Sequence, residues 1–407
     1  MTTPTQTVLA INAGSSSIKF ALYAAPALEL LVQAEVSDIG AATSCFAVTT
    51  GAHPQYSHSF AIPDAVTAVQ VVVDWLVEHV EASSLHCVVH RIVHGGAALR
   101  ATVELNEAVL EQLYSGRRDA PEHLPQEIRL LETLRHRFPL ARHVLCFDSS
   151  FHASMADVAS RLAVPRRYHD AGIMRLGFHG LSCQYLMHQL RALETPRIAN
   201  GKVILAHLGG GASITAVEHG RSCDTSMGVS PAGGIAMTSR SGDIDPGFAW
   251  HCLHNEHMTP HALQQMLMHE SGMRGIAGGG DNGNGDMAQL LARETVDTQA
   301  AQAIALFCYQ ASKAIGAMAA AIDGMAVLVF AGGIGEHAAV IRQRICARLS
   351  HLGVLLDDGA NGRHAPLISA PASAVIVRII ATDEQWMLAE NARMLLDTTS
   401  AATESPL

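Results

Sequence analysis

Three side chains have the types and surroundings that chemistry on a phosphoryl group requires. Arg91 in "VVHRIVHGG", His179 in "RLGFHGLS" and Arg240 in "TSRSGDIDPG" lie next to apolar runs or glycine turns, where a side chain can project into a cleft. Phosphoryl transfer needs groups of this kind to hold phosphate oxygens and neutralise their charge, together with carboxylates that hold Mg²⁺. A lone arginine beside a strand is more often a surface or ion-pair residue, so each position also has a structural explanation.

Two acidic residues follow apolar strands. Asp148 in "VLCFDSSFH" ends one such strand, where a carboxylate often becomes a metal ligand or an acid/base group in α/β enzymes. Glu384 in "IIATDEQWMLAE" follows another strand and opens a helix. The alternatives are that Asp148 caps the next turn and that Glu384 is a first-turn acid favoured by the helix dipole. His94, His123 and His207 could likewise be hydrogen-bonded core histidines.

Glycine-rich tips interrupt three apolar runs and are candidates to position these groups. "LAINAGSSSIKFAL" (9–22) and "KVILAHLGGGASITAVEHG" (202–220) share one plan, a strand, a Gly/Ser tip and a second strand. "MAVLVFAGGIGEHAAVIRQRICARL" (325–349) is typical of a buried strand, a glycine turn and a helix, which directs backbone N–H groups at an anion. Any single glycine turn is explained by backbone geometry alone, but three such turns on one chain, two of them in matching hairpins, make a purely structural explanation less favoured.

Helical patterns between these runs, for example over 65–82 and 124–138, predict a mixed α/β architecture. The segment 272–287 is a glycine-rich loop, either a flexible excursion or a ligand-covering element. The longest apolar segment, 299–323, is interrupted by glutamine and lysine and is predicted to be a buried helix rather than a membrane span.

Length and composition predict a compact two-domain protein. The chain has 407 residues, of which 49% are hydrophobic and 16% charged. A formal net charge of −10 argues against a general nucleic-acid surface. The eight cysteines are scattered without metal-ligand spacing, and the N-terminus lacks a secretory pattern. We therefore expect a cytoplasmic protein that binds neither nucleic acid nor membrane.

Taken together, the motifs resemble those of the acetate and propionate kinase family, within the superfamily of acetate and sugar kinases, heat-shock chaperone ATPases and actin. The segments that carry the resemblance, in the family's order from about residue 7 to 395, are "VLAINAGSSSIKF", "HRIVHGG", "APEHLP", "CFDSSFH", "GFHG", "HLGGGASITAVEHGRSCDTSMG", "SRSGDIDPG", "AGGIGEH" and "TDEQ". The resemblance implies an α/β fold of duplicated ribonuclease-H-like (actin-like ATPase) domains with an interdomain active-site cleft. It also implies a homodimer, a first domain of residues 1–150 and 385–407, and a second, nucleotide-binding domain of residues 151–384.

The same resemblance implies roles for the reactive groups. Asp148 matches the family's essential acid, and Arg91, His179 and Arg240 match the groups around the transferred phosphoryl. Two guanidiniums and a histidine donor suit a transition state that spreads negative charge over three oxygens. Arg91 would also orient the substrate carboxylate.

Metal and nucleotide positions follow in the same way. Asn12 and Glu384 fall at the Mg²⁺ positions, with Mn²⁺ as an alternative metal. The residues implied for ATP or ADP are Ser15, Ser17 and Lys19 in the first hairpin, His207, Leu208, Gly209, Gly210 and Gly211 in the second, Asp286 and Met287 after the glycine-rich loop, and Gly333, Ile334, Gly335, Glu336 and His337 in the third run.

Some positions depart from the family pattern on the nucleotide side. Gly210 and His337 stand where asparagine is usual. Ala288 replaces an arginine suited to stacking on a base or bonding it, so nucleotide preference is open.

The implied acid-binding pocket contains Val93, His123, Phe178 and Pro231. Extra methylenes discriminate by only about 1–3 kcal/mol each, so these residues leave the choice between acetate and propionate open. Glu122 occupies a position that is usually apolar, and a buried glutamate there would repel a carboxylate unless it were protonated, paired or turned away.

The expected activity is therefore a Mg²⁺-dependent, reversible transfer of the ATP γ-phosphoryl to a short carboxylate, which gives an acyl phosphate and ADP. The partners are the small carboxylate and the nucleotide. The alternatives are a kinase for another short acid, a kinase that uses pyrophosphate, and a non-catalytic nucleotide-binding paralogue.

Overall fold

The structure is a computed structural model that describes residues 6–14, 17–50, 53–117, 123–279 and 285–403. The chain divides into two compact units, Met1–Ser150 with Asp383–Leu407, and Phe151–Thr382. The segment that returns to the first unit starts at Asp383 in this division. The physical reason is that the helix beginning at Glu384 packs on the sheet of the first unit. Of the residues singled out in the sequence, Ser15 and Glu122 lie outside the described part.

Each unit contains one sheet. The first unit has β1 (Thr7–Ala13), β2 (Ile18–Ala24), β3 (Glu29–Ser37), β4 (Ser44–Thr50), β5 (His53–Phe60), β6 (Leu85–Ile92), β7 (Val103–Glu104) and β8 (Arg142–Phe147). The second has β9 (Val203–Leu208), β10 (Ala212–Glu218), β11 (Arg221–Thr225), β12 (Val327–Ala331) and β13 (Ile376–Ile379). The strand orders are β5-β4-β3-β2-β1-β6-β8-β7 and β11-β10-β9-β12-β13.

Helices connect and cover the strands. They are α1 (Ala65–His79), α2 (Glu107–Gly116), α3 (Leu124–Arg137), α4 (Asp157–Ser160), α5 (Arg166–Asp170), α6 (Gly180–Leu193), α7 (Pro196–Ala199), α8 (Pro246–His254), α9 (Pro260–Gln265), α10 (Gly272–Ile276), α11 (Met287–Arg293), α12 (Thr298–Ala321), α13 (Gly332–His337), α14 (Ala339–Ala347), α15 (Asp358–Gly362) and α16 (Glu384–Thr403). α10 forms at the start of the segment predicted to be a glycine-rich loop, because the left-handed backbone of Gly272 (φ +61°) lets a helical turn begin there.

The two sheets repeat one five-stranded arrangement. In the first unit, β1 pairs antiparallel with β2 and parallel with β6, β2 pairs antiparallel with β3, and β6 pairs parallel with β8. In the second unit, β9, β10, β11, β12 and β13 pair in the same order and directions. The matching hairpins predicted from the sequence are therefore β1/β2 and β9/β10, the equivalent elements of a duplicated fold.

The sequence of the central strands explains their position. β1 (TVLAINA) and β12 (VLVFA) are nearly continuous apolar runs, and both are buried between neighbouring strands, as expected for strands covered on both faces. In the first unit α1 packs its buried Val72 and Leu76 into the core, and Asp64 accepts a capping hydrogen bond from the Thr67 N–H at 2.8 Å. In the second unit α6 packs against β9 and β12.

α12 is the one helix in the described ranges whose length and apolarity would suffice to cross a membrane. Half of its most apolar window is buried, and it packs against α10, α11 and α14 and against β9, β10 and β11. It is therefore a core helix, in line with the buried helix predicted over 299–323.

Candidate active site

The first unit brings Arg91 and Asp148 together at the carboxyl ends of two parallel strands. Arg91 lies on β6, and Asp148 follows β8, where its N–H continues the ladder to the Ile92 carbonyl at 3.0 Å. Arg91 Nε donates to Asp148 Oδ2 at 3.1 Å, and its Nη2 donates to the same oxygen. Asp148 is buried, and its Oδ1 has no hydrogen-bond partner in the described part of the chain. The pair thus presents an unsatisfied carboxylate oxygen beside a guanidinium.

Glu127 completes this ion cluster from α3. Its Oε1 lies 3.5 Å from Arg91 Nη1, and both of its oxygens accept from the Val93 N–H, at 3.2 and 3.1 Å. Burial lowers the pKa of Arg91, but the Asp148 and Glu127 carboxylates more than offset that effect, so its pKa is raised above the ordinary value. Burial raises the pKa of Glu127 to about 7, although Arg91 and the Val93 N–H act in the opposite direction. Arg91 therefore stays charged between two acidic partners.

Asn12 and Glu384 meet at the predicted metal position. Asn12 Nδ2, on β1, donates to Glu384 Oε2 at 3.3 Å at the start of α16. Burial, followed by the charge of Asp148, raises the pKa of Glu384 to about 7, against the opposing effect of Arg91 and Lys19. An amide oxygen and a carboxylate beside further negative charge are the donors that Mg²⁺ takes when it keeps several waters and phosphate oxygens, so the residues fit the ion. Groups of three or more His, Cys, Asp or Glu that could hold a metal do not occur in the described ranges.

The tip of the first hairpin contacts α3. The Gly14 N–H donates to the Ser17 carbonyl at 2.7 Å, and the Gln126 amide of α3 donates to the Gly14 carbonyl at 3.2 Å. Lys19 lies opposite Asn12 on β2 and is paired with Glu35 of β3 at 3.4 Å, with about half of its side chain exposed. A cation next to Asn12 is thus accessible to an anion.

Val93 and His123, both predicted to contact the acid, belong to the first unit. Val93 is buried and directly follows β6. His123 is the residue before α3, and its carbonyl accepts from the N–H groups of Gln126 and Glu127 at 3.1 Å. Both residues therefore touch elements that also carry Arg91 or Glu127.

In the second unit, His179 and Arg240 lie beside the tip of the β9/β10 hairpin. A Cβ placed on Gly211 would be 2.9 Å from His179 Nε2 and 3.6 Å from Arg240 Nη1. His179 has left-handed backbone (φ +59°) before α6, and its Nδ1 is hydrogen-bonded with the Ser213 hydroxyl at 3.0 Å. Arg240 Nη1 donates to the Pro231 carbonyl at 3.2 Å. This bond joins a residue predicted to contact the phosphoryl group to a residue predicted to bind the acid.

His207 is held beside the same tip by a chain of hydroxyl groups. Its Nδ1 is hydrogen-bonded with the Ser182 hydroxyl at 2.8 Å, which accepts from the Thr382 hydroxyl at 3.1 Å. The His207 and His179 rings lie 4.3 Å apart. One interpretation of His207 from the sequence is a histidine hydrogen-bonded inside the protein. The structure shows such a hydrogen bond, with Ser182 of the same unit.

The third glycine turn lies next to the second hairpin. A Cβ on Gly209 would be 3.8 Å from the Gly333 N–H, and one on Gly332 would be 2.7 Å from the Leu208 carbonyl. Glu336 accepts from the Gly332 N–H at 2.9 Å and from the Thr382 N–H at 3.4 Å, so its carboxylate stabilises the turn itself. The remaining members of the turn are the buried Ile334 and Gly335 and the exposed His337.

A fully buried arginine supports this turn. Arg342 of α14 donates to the carbonyls of Gly335 at 2.8 Å and Glu336 at 3.0 Å, and also to Asn361. The motifs do not include Arg342, because an arginine in "AVIRQRICARL" is one charge among several on an apparent surface helix. Its role becomes visible only from its hydrogen bonds to the glycine turn in the structure.

Asp286, Met287 and Phe178, also predicted for the site, make contacts that stabilise the fold of this unit. Asp286 caps α11 by accepting from the Gln289 N–H at 3.1 Å, and Met287 is buried in the core. Phe178 is buried, and its carbonyl lies 2.9 Å from His152 Nε2. A Cβ placed on Gly210 would have no heavy atom of the described residues within 4 Å, apart from its chain neighbours.

Comparisons with known proteins place these features in one family. The family model described as "Acetokinase family" matches residues 7–390. The chain is 38% identical over 399 residues to an acetate kinase of Rhodopseudomonas palustris, covering 96% of this chain and 98% of the relative. Among solved structures, it is similar to a propionate kinase from Francisella tularensis (TM-score 0.86, 31% identity, 95% and 98% coverage). It is also similar to the Porphyromonas gingivalis acetate kinase (TM-score 0.84, 29% identity, 96% and 100% coverage).

These similarities confirm the duplicated actin-like α/β fold that the motifs predicted. They extend over nearly the whole chain and include both strand repeats. The chain therefore belongs to the acetate kinase (acetokinase) family.

Proposed function

We propose that the protein is a kinase that transfers the γ-phosphoryl of ATP to a short-chain carboxylate, reversibly, to give an acyl phosphate and ADP. The observation that carries this proposal is the buried Arg91–Asp148 pair, with its unsatisfied carboxylate oxygen, in a chain whose residues 7–390 match the family. A binding-only paralogue would need no such cluster of opposite charges, which is costly to bury. The match to kinases of acetate and propionate likewise favours transfer over a lapsed site.

We assign the first unit to the carboxylate and the metal. Arg91 would bind the substrate carboxylate and stabilise the charge on the transferred phosphoryl, while Asp148 orients the guanidinium. Three of the five guanidinium N–H groups contact Asp148 and Glu127, which leaves two for a ligand. Val93 and His123 are the residues of the first unit that we propose for binding the acid.

Asn12 and Glu384 would hold Mg²⁺, or Mn²⁺ in its place. When bound, the ion would neutralise charge on the nucleotide phosphates and help to orient them. Lys19 and the backbone of the first hairpin tip would contact phosphate oxygens from the same unit, with Ser15 and Ser17 as further candidates.

We assign the second unit to the nucleotide and to part of the phosphoryl group. His179 and Arg240 would donate to the transferred phosphoryl, an arrangement that typically contributes several kcal/mol to transition-state stabilisation. The paired glycine tips, from His207 to Gly211 and from Gly333 to His337, would receive the nucleotide phosphates and nucleoside. Asp286 and Met287 are the least supported contacts, since one caps a helix and the other is buried.

Acetate and propionate are the proposed acids. The relatives include kinases named for each, and an apolar pocket distinguishes them weakly. Glu122 is the residue most able to change this preference, so a Glu122→Leu variant tests whether another short acid is the preferred substrate.

We further propose a cytoplasmic homodimer. The family resemblance is the support, together with Phe248 and Trp250 of α8, which are 44% and 64% exposed and would gain from being covered. Sedimentation of the purified protein at micromolar concentration tests this, and a monomer at all concentrations would contradict it.

Hydroxamate trapping of acyl phosphate tests the activity. The protein should form product from acetate or propionate with Mg²⁺ and ATP, and far less with pyrophosphate. If no short acid gives product, the proposed function is refuted. If product forms with pyrophosphate but not with ATP, the phosphoryl donor is pyrophosphate instead of ATP.

A further inference from the structure

Glu127 is an ionisable group that neither the sequence motifs nor the proposed mechanism uses. Its side chain is 1% exposed, although glutamate is rarely buried so completely unless it has a partner. It has two, the Val93 N–H and the Arg91 guanidinium. Glu127 thus contacts the guanidinium of Arg91 and the backbone of Val93, two residues proposed to receive the substrate acid.

The charge balance around Arg91 depends on Glu127. With Asp148 and Glu127 both ionised, the guanidinium and its two partners carry a net charge of −1, which opposes the entry of an anionic carboxylate. With Glu127 protonated, the same three groups are neutral. A charge roughly 7 Å from a ligand changes anion affinity by about tenfold or more in the effective dielectric of a protein site.

We propose that Glu127 is a positioning residue that sets how strongly Arg91 holds the substrate carboxylate, by taking up a proton when the acid binds and releasing it when the acid leaves. This inference rests on the proposed function. It assigns to Glu127 control of acid affinity without contact with the reacting atoms.

The surroundings of Glu127 favour proton exchange near neutrality. The charged groups that act on it within the described residues are Arg91 on β6 and Asp148 after β8. α1, α2 and β1 also pack against α3, and their described charged side chains do not act on it. Burial keeps the pKa of Glu127 at about 7, so physiological pH populates both of its states.

The test compares wild type with Glu127→Gln and Glu132→Gln. Glutamine keeps an acceptor for the Val93 N–H but cannot ionise. Glu132 lies on the same helix, is exposed and bonds only the Tyr114 hydroxyl in the described structure, so its variant is a matched control. The measurement is kcat and KM for acetate from pH 6.0 to 8.5 at saturating ATP and Mg²⁺.

The expected result is a split between KM and kcat. In wild type and Glu132→Gln, the KM for acetate should rise about tenfold across this range. In Glu127→Gln the KM for acetate should stay near the wild-type value at pH 6.0 across the whole range, and kcat should be within about threefold of wild type. An unchanged pH dependence in Glu127→Gln, or a flat wild-type KM, would overturn the proposal.

Calorimetry keeps the proposal testable if Glu127→Gln does not fold. Acetate binding to the wild-type enzyme, measured at pH 7.5 in two buffers of different ionisation enthalpy, should take up a substantial fraction of one proton. No uptake would overturn the role of Glu127. An enzyme that makes no acyl phosphate at any pH would instead refute the proposed function, so the two failures are distinguishable.

Discussion

Replacing Gly211 by alanine should slow transfer by displacing His179. The new Cβ would lie 2.9 Å from His179 Nε2, closer than Cβ atoms approach other atoms, and 3.1 Å from Cε1, which is also a tight contact. Reaching an ordinary contact of about 3.4 Å moves the ring by about 0.5 Å, against its hydrogen bond with Ser213. Since a misplacement of about 1 Å costs about a hundredfold in rate, we expect kcat to fall about tenfold.

The assay is hydroxamate trapping at saturating acetate and ATP, with urea unfolding of the same preparations. Gly211→Ala should lose about 1–3 kcal/mol of unfolding free energy from overpacking and remain folded. Gly316→Ala is the control, because nothing lies within 4 Å of its Cβ and its site is within α12. It should keep wild-type kcat and gain up to about 1 kcal/mol. A folded Gly211→Ala enzyme with wild-type kcat would refute the reasoning about His179.

Three further predictions concern buried charge. Arg91→Ala leaves Asp148 buried without its counter-charge. We expect kcat to fall by about tenfold to a thousandfold and the free energy of unfolding in urea by about 3–5 kcal/mol. A near-normal kcat and unfolding free energy would exclude the pair from the site. Arg342→Met removes the donors to two carbonyls of α13. We expect the KM for ATP to rise and the free energy of unfolding to fall by about 3 kcal/mol. An unchanged KM for ATP would show that Arg342 does not support the glycine turn. Burial lowers the pKa values of His90 and His143, which share a hydrogen bond, so the unfolded state binds protons more readily below about pH 6.5. Unfolding free energy should fall from pH 6.5 to pH 5 in urea titrations, and His90→Leu should reduce that slope; an equal slope in the variant would exclude this pair as the cause.

The sequence motifs predicted the matching hairpins and, through the family resemblance, the duplicated fold; they also singled out Arg91 and Asp148 individually. The two hairpins share a strand, tip and strand pattern, and strands of this kind are specified by local hydrophobicity and turn residues. Arg91 and Asp148 follow apolar strands, and adjacent parallel strands bring their carboxyl ends to one edge. Local pattern and topology therefore account for this part of the site.

The sequence could not predict which partner each polar group selects. Glu127 is one acidic residue in "LPQEIRLLETLRHRF", and only the packing of α3 on β6 buries it against Arg91. Asp286 belongs to a matching motif, yet it caps a helix, because an aspartate before a helical turn satisfies the nearest free N–H. Such choices depend on contacts between residues far apart in the chain.

The return of the last helix to the first unit is implied by the family resemblance rather than by any local pattern. In the structure, contacts of α16 with β1, β2 and β6 hold this segment in the first unit.

In the proposed reaction a carboxylate oxygen attacks the γ-phosphorus of ATP. Incubation with Mg²⁺, ATP and acetate labelled with ¹⁸O, followed by ³¹P NMR, shows whether this bond forms. We expect an acyl phosphate whose phosphorus resonance is shifted by one bonded ¹⁸O atom, because the acetate oxygen becomes the bridge. ADP formed with unlabelled inorganic phosphate alone, or no turnover, would refute the proposed reaction.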